Sequence, residues 1–133
     1  MEQEHIERFA LQREYFEKAL VRLGEVLELD ESDVVRDSII QRFEFTFEMA
    51  WKAMFRFLAD QGERVAAKAW HVLPVALSAL LIDDAEVWDR MRMLRNDMSH
   101  EYNAQRAIEA AAFIRSSAYP SFLRLKEELA RRV

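Results

Sequence analysis

Ile40-Gln41-Arg42-Phe43-Glu44-Phe45-Thr46-Phe47-Glu48-Met49-Ala50-Trp51-Lys52-Ala53-Met54-Phe55-Arg56-Phe57-Leu58 reads two ways over its first half. From Phe43 to Phe47 apolar and polar residues alternate, as they do on a half-buried strand. Over the whole stretch, Ile40, Phe43, Phe47, Ala50, Met54 and Phe57 or Leu58 recur in three- and four-residue steps. That spacing puts them on one face of an α-helix. The longer pattern decides, and Glu48 with Lys52 adds a favourable pair one turn apart. The spacing predicts a helix over residues 34–61, closed by Gly62.

Working outward, the same steps recur. Ile6, Phe9, Arg13, Phe16, Leu20, Leu23 and Leu27 make a seam with one polar member, Arg13, and with Gly24 inside it. The acidic stretch Asp30-Glu31-Ser32-Asp33 between the two seams reads as a turn that caps the next helix. After Gly62, residues 63–82 should hold a shorter, irregular helix, because Pro74 interrupts it. Asp83-Asp84 then start a segment with Val87, Trp88, Met91, Leu94 and Met98 on one face. Asn103 caps a last helix over residues 104–131, with Pro120 as an internal kink. Two Gly and two Pro are far too few for a protein with a turn every ten residues. The expectation is an all-α bundle of five helices in a single domain, residues 1–133.

Composition narrows the chemistry. The chain has no cysteine, which removes disulfides, thiolate nucleophiles and thiolate zinc sites. His5, His71 and His100 are widely separated, so no metal cluster is legible and no cofactor is expected. The net charge of −5 argues against extended duplex binding, which needs a basic surface, and leaves room for a short contact with a single strand. The charged amino terminus is no signal peptide, and the uncharged run from Ala69 to Ile82 is too short to cross a bilayer. A cytoplasmic protein with no membrane contact is expected.

One segment, Arg95-Asn96-Asp97-Met98-Ser99-His100-Glu101-Tyr102, concentrates reactive residues. With the core stripe centred on Met91, Arg95 lies roughly 40° away, Tyr102 about 20° and His100 about 180°. Arg95 and His100 therefore diverge on a straight helix, whereas Asn96 and His100 share a face. A helix break near Ser99 or a second subunit would bring them together. A His titrating near neutrality can take a proton from a ribose 2′-hydroxyl. An Arg can hold the phosphate. Taken alone, an Arg and a His at this spacing arise often by chance.

Two motifs in order are more specific. Gln41-Arg42-Phe43-Glu44-Phe45-Thr46-Phe47-Glu48-Met49-Ala50-Trp51-Lys52 resembles the signature of the nucleotidyltransferase substrate-binding proteins, a branch of the HEPN superfamily. Arg95-Asn96 to Ser99-His100-Glu101-Tyr102 resembles the second signature, and the similarity runs from about Ile6 to Leu129. One stretch departs: Val65-Ala66-Ala67-Lys68 stands where the branch usually carries a Ser-Pro-Arg-like helix start. The resemblance implies a five-helix up-and-down bundle that forms a homodimer with both motifs facing a shared cleft. It also implies a partner, a minimal nucleotidyltransferase (MNT). In the toxins of this superfamily Arg95, Asn96 and His100 would be catalytic positions of a metal-independent endoribonuclease. Tyr102 would be the tyrosine that the partner adenylylates to silence it. Arg42, Glu44, Glu48 and Lys52, the charged residues of the first motif, would bind substrate or partner.

Two functions are therefore open: a toxin cutting single-stranded RNA, or a non-catalytic subunit presenting a substrate or nucleotide to the nucleotidyltransferase. The Arg–His pair with a Tyr two residues on favours the first, and net acidity favours the second. A purely structural helical dimer fits both motifs least well.

Overall fold

The structure, a computed structural model, describes residues 2–100 and 103–132; the side chains of Glu2, His5, Ser99 and His100 lie outside what it describes. Five helices follow one another, with no strand among the described residues: α1 (Glu2–Leu27), α2 (Asp33–Asp60), α3 (Ala69–Ser78), α4 (Ala85–His100) and a last helix. The last helix comprises α5 (Ala104–Phe113), a π-helical turn (Ile114–Ala118) and α6 (Tyr119–Arg131), continuous from end to end.

The predicted stripe of α2 is the centre of the molecule. Ile40, Phe43, Phe47, Ala50, Met54, Phe57 and Leu58 are all buried. α1 lies along α2 and contributes Phe9, Phe16, Leu20 and Leu23. The far end of the α1 seam departs from expectation. Ile6 is 51% exposed, and Arg13 pairs with Glu17 at 3.6 Å.

The ends of α2 are chemically specified. Ser32 Oγ accepts from the Val35 amide at 3.2 Å, so the acidic turn does supply the cap. At the other end Gly62 takes φ +86°. Its amide donates to the Ala59 carbonyl, and the Glu63 amide donates to Leu58. This glycine-dependent closure stops the helix where the sequence places the stop.

Two prolines are accommodated differently. Pro74 sits inside a short, regular α3 rather than an irregular one. It removes the amide that would otherwise bond to the Trp70 carbonyl. The Val65-Ala66-Ala67-Lys68 stretch ends at Lys68, the non-helical residue before α3. Pro120 does not produce a simple kink: the π-helical turn precedes it, its wider bonding marked by the Tyr119 amide donating to the Ile114 carbonyl. Within that turn Arg115 Nη1 donates to the Leu27 carbonyl at 2.5 Å and Nε reaches Glu31 at 3.4 Å, tying the last helix to the α1–α2 turn.

Gly24 is explained by the last helix. A Cβ there would stand 2.8 Å from the Tyr119 hydroxyl and 3.4 Å from its ring carbon. Glycine costs about 1 kcal/mol of helix propensity against alanine, and overpacking costs about 1–3 kcal/mol. Gly24→Ala should therefore lower stability in urea denaturation, by about 1 kcal/mol net. Combined with Tyr119→Phe, the same alanine should instead stabilise relative to Tyr119→Phe alone.

Candidate functional site

α2 and α4 bring the two sequence motifs together at one ion pair. Arg95 Nη2 lies 2.9 Å from Glu48 Oε2. The same oxygen accepts from Trp51 Nε1 at 3.2 Å, and Lys52 Nζ approaches Glu48 Oε1 at 3.5 Å. Glu48 is thus held by three donors from two helices, and its orientation is set before any ligand arrives. Arg95 remains 40% exposed at its side chain, so the guanidinium is both positioned and accessible.

Glu44 stands one turn before Glu48 on the same face of α2. Burial raises its carboxyl above the ordinary value, and the neighbouring Arg95 pulls it part of the way back. The cluster Glu44, Glu48, Lys52 and Arg95 is a compact set of two anions and two cations, with Trp51 buried beside it.

Arg42 does not join this cluster. Its guanidinium donates to the Arg22 carbonyl at 2.7 Å, towards α1, and lines a separate cavity with Ser38 and Phe45. Two residues on a helix turn through about 200°, so Arg42 and Glu44 leave α2 on opposite sides. The first motif thus splits into two surfaces.

In the second motif, Asn96 is exposed beside Arg95. The α4 backbone is helical without interruption to His100. A break near Ser99, one of the two routes to an Arg95–His100 encounter, is therefore absent. Five residues along an unbroken helix correspond to about 140° of rotation. The His100 side chain and all of Tyr102 lie outside the described residues. Asn103 caps α5 as expected, its Oδ1 accepting from the Arg106 amide at 2.9 Å. Among the described residues no group of three or more His, Asp or Glu is placed to hold a metal ion, and no helix is long and apolar enough to cross a membrane.

The Glu48–Arg95 contact was missed from sequence. Glu48 and Lys52 were visible as an i,i+4 pair, but nothing local indicates that the same carboxylate also reaches across to α4.

The profile of the family described as nucleotidyltransferase substrate binding protein like matches residues 11–131, which include both motifs. A crystal structure of a protein from Thermus thermophilus is similar over 88% of this chain and 97% of that one, with 36% identity and a TM-score of 0.70. No curated protein matches the sequence.

The Glu44 carboxyl yields a prediction. A carboxyl raised in the fold binds its proton more tightly there than in the unfolded chain. Its ionised form therefore costs stability above the folded value; the cost fades as pH falls through that value and is gone below the unfolded value of about 4.3. Glu44→Gln should raise the melting temperature at neutral pH and lose that advantage near about pH 4. Removing Arg95 by Arg95→Ala should move the Glu44 titration, followed by carbon-detected NMR, further upward.

Proposed function

Since the chain belongs to the nucleotidyltransferase substrate binding protein like family, we propose that it is the helical partner subunit of a separate MNT-type nucleotidyltransferase, and that its own chemistry is metal-independent cleavage of single-stranded RNA. The observation that carries this reading is Arg95, a guanidinium oriented by Glu48 and still open to solvent, with Asn96 exposed beside it. Two subunits form the working unit. Arg95 and Asn96 of one hold the phosphate, and the partner's His100 takes the proton from the ribose 2′-hydroxyl. The freed 2′-oxygen attacks phosphorus to form a cyclic phosphate as the bond to the 5′-oxygen breaks, and that oxygen takes up a proton from water. Arg95 stabilises the negative charge that grows on the phosphoryl oxygens. The unbroken α4 supports the two-subunit form, because it keeps positions 95 and 100 of one chain apart. Tyr102 is the hydroxyl that the nucleotidyltransferase adenylylates, which adds bulk and negative charge to the second motif.

A second reading is favoured by the carboxylates. Glu44 and Glu48 flank Arg95 and oppose a phosphate at that point. A subunit that only presents a substrate or nucleotide to the nucleotidyltransferase tolerates this better than a nuclease does.

An RNA-cleavage assay separates the two. His100→Ala should abolish cleavage of single-stranded RNA near neutral pH. Arg95→Ala should slow it by about a hundredfold, the effect of losing roughly 3 kcal/mol of transition-state stabilisation. Tyr102→Phe should cut normally yet escape silencing by the partner enzyme with ATP. A wild-type protein that is inert throughout but binds nucleotide sinks the nuclease reading and leaves the presenting subunit.

The shared cleft makes a separate prediction. Sedimentation at about 10–100 µM, a range that detects weak dimers, should show a dimer. A monomer across that range would remove the two-subunit mechanism.

A further inference from the structure

Between α3 and the part of α4 that ends one turn before Arg95 lies a groove of about 430 Å³, lined largely by apolar side chains. Leu73 and Leu77 form one wall and Trp88 contributes from the α4 side. Trp70 also lines it and is 57% exposed, an unusual position for an indole that backs onto the His71 ring at 3.8 Å. Trp88 is buried, and its Nε1 has no acceptor among the described residues. At the same groove Arg92 donates to Asp89 through Nη2 at 3.0 Å and Nε at 3.3 Å, so a donor and an acceptor group stand side by side.

We propose that this groove receives a nucleobase, and that one nucleotide spans from it to Arg95. The inference rests on the reading of Arg95 as a phosphate contact and adds the part of the ligand that the phosphate contact leaves unrecognised. Trp88, Arg92 and Arg95 follow one another in steps of four and three, so they lie on one stripe of α4. From Trp88 to Arg95 the helix rises about 10 Å, and from Arg92 to Arg95 about 4.5 Å. A base in the groove therefore has a cation one turn away, where its phosphate would fall. Single-stranded nucleic acids are read in this way: bases leave the stack, pack on aromatic rings and present their edges to polar side chains. The groove offers the exposed Trp70 indole for the ring and the Asp89–Arg92 pair for an edge. Its lack of net charge matches a base and not a phosphate. A free nucleotide and a base of an RNA strand share this chemistry.

Calorimetric titration tests it, with the four nucleoside 5′-monophosphates, ribose 5-phosphate, and a short mixed-sequence 2′-O-methyl RNA that the proposed cleavage cannot consume. The monophosphates or the RNA should bind more tightly than ribose 5-phosphate. Trp70→Ala, on an exposed position, should weaken them about tenfold or more, as loss of one base–aromatic stack does. It should leave ribose 5-phosphate unchanged, and Trp70→Phe should retain most of the affinity. Binding of RNA alone would identify a strand as the source of the base, and binding of monophosphates a free nucleotide; both support the groove. Arg95→Ala should weaken every probe, and a silent Arg95→Ala would overturn the span to Arg95. Monophosphates and RNA that bind no better than ribose 5-phosphate, or equally well to Trp70→Ala, overturn the base site. So does a Trp70→Ala protein that loses only its hold on the nucleotidyltransferase, since the groove would then dock protein. Because binding is read without cleavage, a wild type that binds but never cuts RNA refutes the nuclease and leaves this inference standing.

Discussion

Phe122 of the last helix packs against rings from three other helices: Phe16 of α1 at 6.2 Å, Phe43 of α2 at 6.1 Å and Trp88 of α4 at 5.5 Å. Trp88 in turn meets Phe47 of α2 at 6.2 Å. All five residues are essentially without solvent contact. Each buried side chain of this size contributes roughly 1.5–3 kcal/mol, and the offset and edge-on geometries add specificity that aliphatic packing lacks. The register of α1, α2, α4 and α6 against one another is set through these rings.

The polar cluster follows from that register. Phe47 stands against Trp88 in the core, so the next residue of α2, Glu48, emerges at the α4 side. Arg95 is seven residues, two turns, beyond Trp88 on the same stripe. The carboxylate and the guanidinium meet because the rings beneath them have already fixed the two helices. Trp51 seals the arrangement from below with its indole N–H on Glu48. A change at Trp88 or Phe47 would therefore disturb the Arg95 position without touching it.

α3 stands apart from this core in character. It buries Val72, Leu73 and Ala76, yet leaves Trp70 and Leu77 towards solvent. Its apolar residues outnumber what its inner face can bury, and the excess lines the groove against α4. Meanwhile Asp84, just before α4, accepts from the hydroxyl of buried Ser121 and from Arg124 Nη2 at 2.5 Å, which pins the start of α4 to the last helix. The groove wall on the α4 side is thus braced from behind, while the wall on the α3 side is short.

Much of this was legible in the amino-acid sequence. The α2 stripe, the closure at Gly62, the caps at Ser32 and Asn103 and the family signatures all depend on spacing within a few residues, and local spacing is what a sequence displays. Gly24 looked like a weakness in the α1 seam, because nothing nearby explains it; Tyr119, distant in the chain, does. Arg42, Glu44, Glu48 and Lys52 looked like one set of polar positions in a single motif, and the tertiary structure divided them. Arg42 turned to the α1 backbone, while Glu48 gained Arg95. That division could not be read in advance, since a helix presents its polar residues around much of its circumference and only the neighbouring helices determine which of them meet a partner. The sequence by itself determined the helices and the apolar faces they must bury. Which charge stands beside which was decided by packing, because an ion pair between helices needs a few ångströms of agreement that only the close-packed core supplies.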